Sequence, residues 1–149
     1  MSDLKNQIRA DLKEAMKARE KERTATLRML LAAIQTEEVS GTKHEASDAD
    51  IVKLIAREIK KRNESAEVYA ANGRQELADT ELAEAKILAD YQPKQLSDDE
   101  LASLVHSAIA EAGPEAKMGP VMQLATQAAA GRVDGKRLST AVRNALAAQ

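Results

Sequence analysis

Few side chains in this chain could do chemistry, and their spacing suits binding better than bond-making. There are two histidines. His44 sits in a polar stretch. His106 lies on the flank of an amphipathic segment with no carboxylate or second histidine at ligand spacing, so neither reads as a metal ligand or general base. Asp98, Asp99 and Glu100 are adjacent acids that could be paired for proton transfer. Ser97, three residues before Glu100, makes them the start of a helix instead. With no cysteine, thiolate nucleophiles, thiolate metal sites and disulfides are excluded. No metal and no cofactor are expected.

Two groups of cations remain. The first surrounds Gly131-Arg132-Val133-Asp134-Gly135-Lys136-Arg137. A nucleotide-cradling loop needs four residues between its glycines, then Lys and Ser or Thr, after a strand. Here three residues intervene, Arg137 follows Lys136, and the preceding segment is helical. What survives is a glycine turn at a helix N-terminus, where free N–H groups and Arg132, Lys136 and Arg137 would accept a nucleic-acid phosphate. A tight helix-to-helix turn with solvated cations accounts for the same residues. The second group is Lys53, Arg57, Lys60, Lys61 and Arg62, with Arg23 and Arg28 from the preceding helix. Part of it reads as internal pairing, because Glu58 and Arg62 stand four apart on the edge of an apolar face.

The elements that must position these residues are all helical. Leu4, Ile8 and Leu12 predict a helix from Ser2 to about Lys17, and Leu27, Leu30, Leu31 and Ile34 predict a second from about Glu20 to Val39. Ser40-Gly41-Thr42 ends it. Ser47 or Asp48 caps a third, whose face runs Ile51, Leu54, Ile55, Ile59, Ala66 and Tyr69 up to Asn72-Gly73. A fourth runs from about Arg74 to Tyr91 and stops at Pro93, which lacks an N–H and disfavours helix at Gln92. Ser97 and Glu100 restart the chain with a capping box, and Gly113-Pro114 closes that fifth helix. Pro120–Ala130 and about Gly135–Ala148 complete the set. Gly119 fits a cap, Pro120 a first helical position, and Met118 and Met122 a core-facing side. No segment alternates with period two, so no strand is predicted. The expected fold is all-α: an N-terminal bundle of about four helices over residues 1–92, a hinge at 93–96, and a C-terminal three-helix domain over 97–149.

Composition narrows the partners. The 149 residues include no Phe, no Trp and only Tyr69 and Tyr91, so the core must be built from aliphatic side chains and alanine. The same lack argues against gripping single strands by base stacking; any nucleic acid would be a folded RNA read by shape and phosphates. The net charge is −2, but residues 63–116 hold 3 bases and 12 acids and the remainder 19 and 12, which predicts a polarised surface. No apolar run reaches the length that spans a bilayer, and the N-terminus has no apolar signal region. No membrane association and a cytoplasmic location are expected.

An ordered set of motifs resembles the YqeY family of small bacterial proteins. It comprises Arg23 to Ile34, Ile59 to Ser65, Tyr69, Gly73-Arg74, Tyr91 to Ser97, Met118-Gly119-x-Val121-Met122 and Gly131-Arg132-x-Asp134-Gly135-Lys136. The resemblance implies an N-terminal helical bundle, a C-terminal three-helix domain, and kinship with the tail of the B subunit of glutamine-dependent aspartyl/glutamyl-tRNA amidotransferase. That tail helps to hold tRNA, while ammonia generation and ATP-dependent chemistry occur elsewhere. It makes Gly119, Val121, Met122, Gly131, Arg132, Asp134, Gly135 and Lys136 the tRNA-facing candidates, joined by Arg137 from the residue reading. The family often has lysine after the first glycine and before the second, where this chain has Pro120 and Ala128-Ala129-Ala130. Fewer phosphate contacts are available here.

The leading expectation is thus a non-catalytic module that binds tRNA or another folded RNA, with a protein of the aminoacyl-tRNA pathway as a further possible partner. The alternative is a protein–protein adaptor docking through its helices, with the acidic stretch from Glu64 to Glu100 as its surface. A self-sufficient carbon–nitrogen ligase would need a nucleophile to release ammonia and a place for ATP. The chain has no cysteine, no serine–lysine constellation and no phosphate loop.

Overall fold

The computed structural model describes residues 2–149, and its described residues form seven α-helices and no strand. The helices are α1 (Asp3–Lys17), α2 (Lys21–Val39), α3 (Asp48–Ala71), α4 (Gln75–Ala89), α5 (Asp98–Ala112), α6 (Met118–Ala129) and α7 (Gly135–Ala147). The chain divides into two compact units, Met1–Gln92 and Pro93–Gln149.

In the first unit, α1 packs on α2 and α3, α2 on α3 and α4, and α3 along α4. Ile8, Leu27, Leu30, Ile34, Ile51, Ile55 and Leu88 are buried at its centre, and Ala46 from the α2–α3 loop joins them. Burying a side chain of this kind is worth about 1.5–3 kcal/mol, and aliphatic residues at helical spacing supply it without aromatics. α3 has 24 residues and so spans about 36 Å. Its start is a capping box: Ser47 Oγ accepts from Asp50 N–H at 3.1 Å, and the Asp50 carboxylate accepts from Ser47 N–H at 3.1 Å.

Both sharp turns of this unit use the same device. After α3, Gly73 is left-handed (φ 74), and Arg74 N–H reaches Tyr69 C=O at 2.8 Å. After α1, Arg19 takes that role at φ 59, with Glu20 N–H on Ala15 C=O at 3.0 Å. Glycine is the usual choice for this position because it has no Cβ to clash. The turn falls in the gap expected between the first helix, ending at about Lys17, and the second, starting at about Glu20.

The second unit packs α5, α6 and α7 pairwise around Leu101, Val105, Ile109, Val121, Ala125, Leu138 and Val142. Three buried alanines in this core, Ala108, Ala125 and Ala129, keep the helices close. α6 begins at Met118, two residues before the expected Pro120, with Lys117 at the cap position. Pro120 is tolerated there because the first turn of a helix has no internal acceptor for its N–H groups. α4 ends at Ala89, short of the expected Tyr91; Tyr91 and Gln92 continue in a turn bonded to Leu88 and Ala89 C=O.

Candidate nucleic-acid interface

The turn between α6 and α7 is built from the chain ends of two helices. Ala130 closes α6 in the left-handed region (φ 48) and Gly131 follows at φ 81. Asp134 then caps α7, its carboxylate accepting from Arg137 N–H at 2.8 Å. The expected tRNA-facing Asp134 is therefore a structural cap. The N–H groups of Gly135 and Lys136 meet no acceptor among the described residues, which leaves them open to a ligand.

Arg132 and Arg137 are already engaged. Arg132 Nε donates to Lys94 C=O at 2.9 Å, and its guanidinium lies 3.6 Å from the Glu100 carboxylate. Arg137 donates to Leu96 C=O at 2.8 Å and to the Asp98 carboxylate at 2.6 Å. Leu96 N–H in turn donates to Arg132 C=O at 2.8 Å, and the Leu96 side chain is buried in the second core. Residues 94–96, expected as part of a hinge, are fastened to this unit by the two arginines.

These pairs remain weak as electrostatics. The Asp98 side chain is 97% exposed and Glu100 48% exposed, and ion pairs in that setting are worth about 0–1 kcal/mol. Glu100 is held below the ordinary carboxylate range chiefly by the Ser97 backbone N–H, then by the Ser97 hydroxyl, with Arg132 adding charge. Lys136 is exposed and forms no ion pair among the described residues. A phosphate arriving here would find two free N–H groups, a free ammonium and two guanidiniums it could win from exposed carboxylates.

The other half of the expected set lies elsewhere. Gly119 and Met122 stand at the start of α6, so about 15 Å of helix separates Gly119 from the turn. Val121 is fully buried and Met122 packs against the same core, so neither side chain faces a ligand. That corrects the expectation for Val121: its position in the motif is a packing requirement.

The first-unit cations do not form one surface either. Arg62 is only 5% exposed. Its guanidinium bonds the Glu58 carboxylate at 2.9 Å and C=O at 3.1 Å and the Glu84 carboxylate at 3.1 Å, and it also touches the Met29 sulfur. Arg62 is thus withdrawn from any RNA-facing role. The Glu58–Arg62 pair follows from helical spacing, whereas Glu84 arrives from another helix. Arg57 lies 3.5 Å from the Glu37 carboxylate, and Arg23 lies 3.9 Å from that of Asp11 and 3.8 Å from that of Glu20. Arg28 donates to the Met16 sulfur. Lys53, Lys60 and Lys61 are exposed without ion pairs among the described residues.

Two further polar clusters escaped the sequence reading. Lys5 is nearly buried and donates to both oxygens of Glu38 at 2.7 and 2.9 Å, while Ala46 N–H donates to the same carboxylate at 2.9 Å. Glu38 is held below its ordinary range by the Lys5 bond first and the Ala46 N–H second. Tyr91 donates to the Asp11 carboxylate and lies beside Arg23; burial, then Asp11, pushes its phenol upward. Tyr91 thereby ties the end of α4 to α1, which leaves it unable to stack on a base. No helix among the described residues is long and apolar enough to cross a membrane, and no group of His, Asp or Glu could hold a metal.

Comparison with known proteins finds relatives in yeasts. A protein of Kluyveromyces lactis named "Altered inheritance of mitochondria protein 41, mitochondrial" is 31% identical over 85 residues, covering 57% of this chain and 46% of that protein. Its namesake in Meyerozyma guilliermondii is 34% identical over 86 residues, covering 58% and 44%. The chain spans about half the length of these two relatives. A Schizosaccharomyces pombe protein described as uncharacterized is 30% identical over 91 residues, covering 61% of this chain and 73% of that protein. The family described as Yqey-like protein matches residues 5–146, nearly the whole of both units, and the chain belongs to that family.

Proposed function

We propose that the chain is a non-catalytic helical module that holds tRNA or another folded RNA through the turn between α6 and α7. Gly135 is the observation that carries this reading. It is the first residue of α7, its φ is not left-handed, and a Cβ added there would meet nothing within 4 Å. The fold therefore has no steric need for glycine at this first helical position. A bare backbone beside Lys136 lets a phosphate approach the free N–H groups closely. Gly119, the second residue of α6, is equally unexplained by packing.

The tethering of Tyr91 and the partial burial of Tyr69 support recognition of shape and phosphates over base stacking. Any part in tRNA-dependent amidation would be accessory, and the reading places the protein with its RNA in the cytoplasm. The test is a titration of bulk tRNA against duplex DNA of equal charge at low and physiological salt, with the parent chain and with Gly135→Ala and Lys136→Ala. Tighter binding to tRNA that falls in both variants, while Gly135→Ala stays as stable as the parent, is the expected outcome. Equal weak binding to both nucleic acids, or retention unchanged in both variants, would sink the reading. Arg132 and Arg137 are poor first targets because they also fasten residues 94–98.

A further inference from the structure

α2 lies against both α3 and α4, and α3, with 24 residues, is longer than α2, with 19. Two stripes define that surface. On α3, Leu54, Glu58 and Lys61 border α2, and the same three- and four-residue steps lead on to Ser65 and Val68. On α4, Leu88 packs with Met29 and Leu30, and the same steps lead back through Glu84 and Glu81 to Leu77. α2 stops short of these ends, because its first turn, Lys21 to Arg23, lies beside Ala83, Lys86 and Ile87.

From Glu64 to Leu82 the α3–α4 hairpin continues without it. The side-chain hydrogen bonds of that stretch are all local, and Ala66 and Ala78 are buried without joining the main core cluster. The uncovered stripes present Val68 at 61% and Leu77 at 37% exposure. Charge selects the occupant. Residues 63–89 contain six acids and two bases, and the Glu64 and Glu81 carboxylates have no ion-pair partner among the described residues. A second copy of this hairpin would be repelled by the same charges.

We propose that the outer half of the α3–α4 hairpin docks a basic amphipathic helix of another protein, laid end to end with α2 so that aliphatic side chains cover Val68 and Leu77 and Lys or Arg meets Glu64 and Glu81. The site is separate from the α6–α7 turn and does not depend on RNA binding. Recognition is of the helix-in-groove kind, with apolar anchors giving affinity and charge giving selection.

The test titrates the full isotope-labelled chain with a synthetic Leu/Lys amphipathic helix of about 18 residues. Two control peptides accompany it, one with Glu in place of Lys and one with Ser in place of Leu. Amide shift changes confined to Lys61–Glu84 are expected with the Leu/Lys peptide. Its affinity should fall about tenfold in a Val68→Ser, Leu77→Ser double variant and about fivefold in Glu64→Gln, Glu81→Gln. Glu64, Val68 and Leu77 are exposed and Glu81 is half-buried, and thermal unfolding of the variants checks that they fold. Shift changes centred elsewhere, equal binding of either control peptide, or undiminished affinity in both double variants would overturn the proposal. So would a dimer of the free chain that the serine variant dissolves, since a second copy would then be the occupant.

Discussion

The two units bury charge differently. The first places Arg62 in its interior with two carboxylates and nearly buries Lys5 on Glu38, whereas the second buries no charged side chain and keeps its arginines at the rim. Long helices of mixed charge bring cations inward when they cross, and each must then find acceptors. The alanine-rich unit meets no such demand, because small side chains let its helices close over a purely apolar core. Its Arg132 and Arg137 consequently stay at the surface, tied to backbone carbonyls and exposed carboxylates, while Arg62 and Lys5 of the first unit are buried. Local charge density in the sequence therefore misleads about availability.

The difference can be broken most severely at Arg62. Arg62→Ala strands Glu58 and Glu84 and should cost about 3 kcal/mol in the first unit, with Arg62→Met losing less. Tyr69 and Tyr91, the chain's two tyrosines, both lie in that unit, so tyrosine fluorescence during urea unfolding reads it alone. A loss under about 1 kcal/mol would mean that the pair contributes no more than a surface one. Val121→Ala tests the second core and should cost about 2 kcal/mol, visible in helicity by circular dichroism with the tyrosine transition unmoved. Movement of both signals together would show that the units unfold as one.

Acid should act on the first unit through Glu38. Its pKa is lowered in the folded state, so the unfolded chain binds the proton more readily and the carboxylate's stabilisation is complete above the ordinary carboxylate pKa. That contribution fades as pH falls below the ordinary value through the lowered one. Glu38→Gln should flatten the acid limb of the tyrosine-detected stability profile; an unchanged slope would refute the assignment. In the second unit Asp98→Asn should alter stability by less than about 1 kcal/mol, yet raise tRNA affinity by releasing Arg137. Unaltered affinity would show that Arg137 takes no phosphate. The smallest effect is expected at Arg19, whose left-handed backbone suits glycine: Arg19→Gly should stabilise the first unit by about 0.5 kcal/mol, and a loss would place hidden contacts on its side chain.

Much of the architecture was legible. Helix spacing located all seven helices, and Ser97-x-x-Glu100 announced its capping box because both partners lie within one turn. Boundaries drifted where local signals conflicted: Pro120 looked like a first helical residue but sits in the third position of α6. The candidate turn was legible as glycine and cations, but its fastening to residues 94–98 was not. Arg132 meets Lys94 across 38 residues, and Tyr91 meets Asp11 across 80. No pattern within one helix encodes such a meeting.

The sequence by itself thus determined the helices, their stops and their apolar faces, since these depend on propensity, capping and periodicity among residues at most a turn or two apart. Only the tertiary structure decided which cations are spent inside the fold and which stay open to solvent. Side chains compete for the same carboxylates and carbonyls once helices pack, and the winner is set by which faces cross, a choice made between residues far apart in the chain.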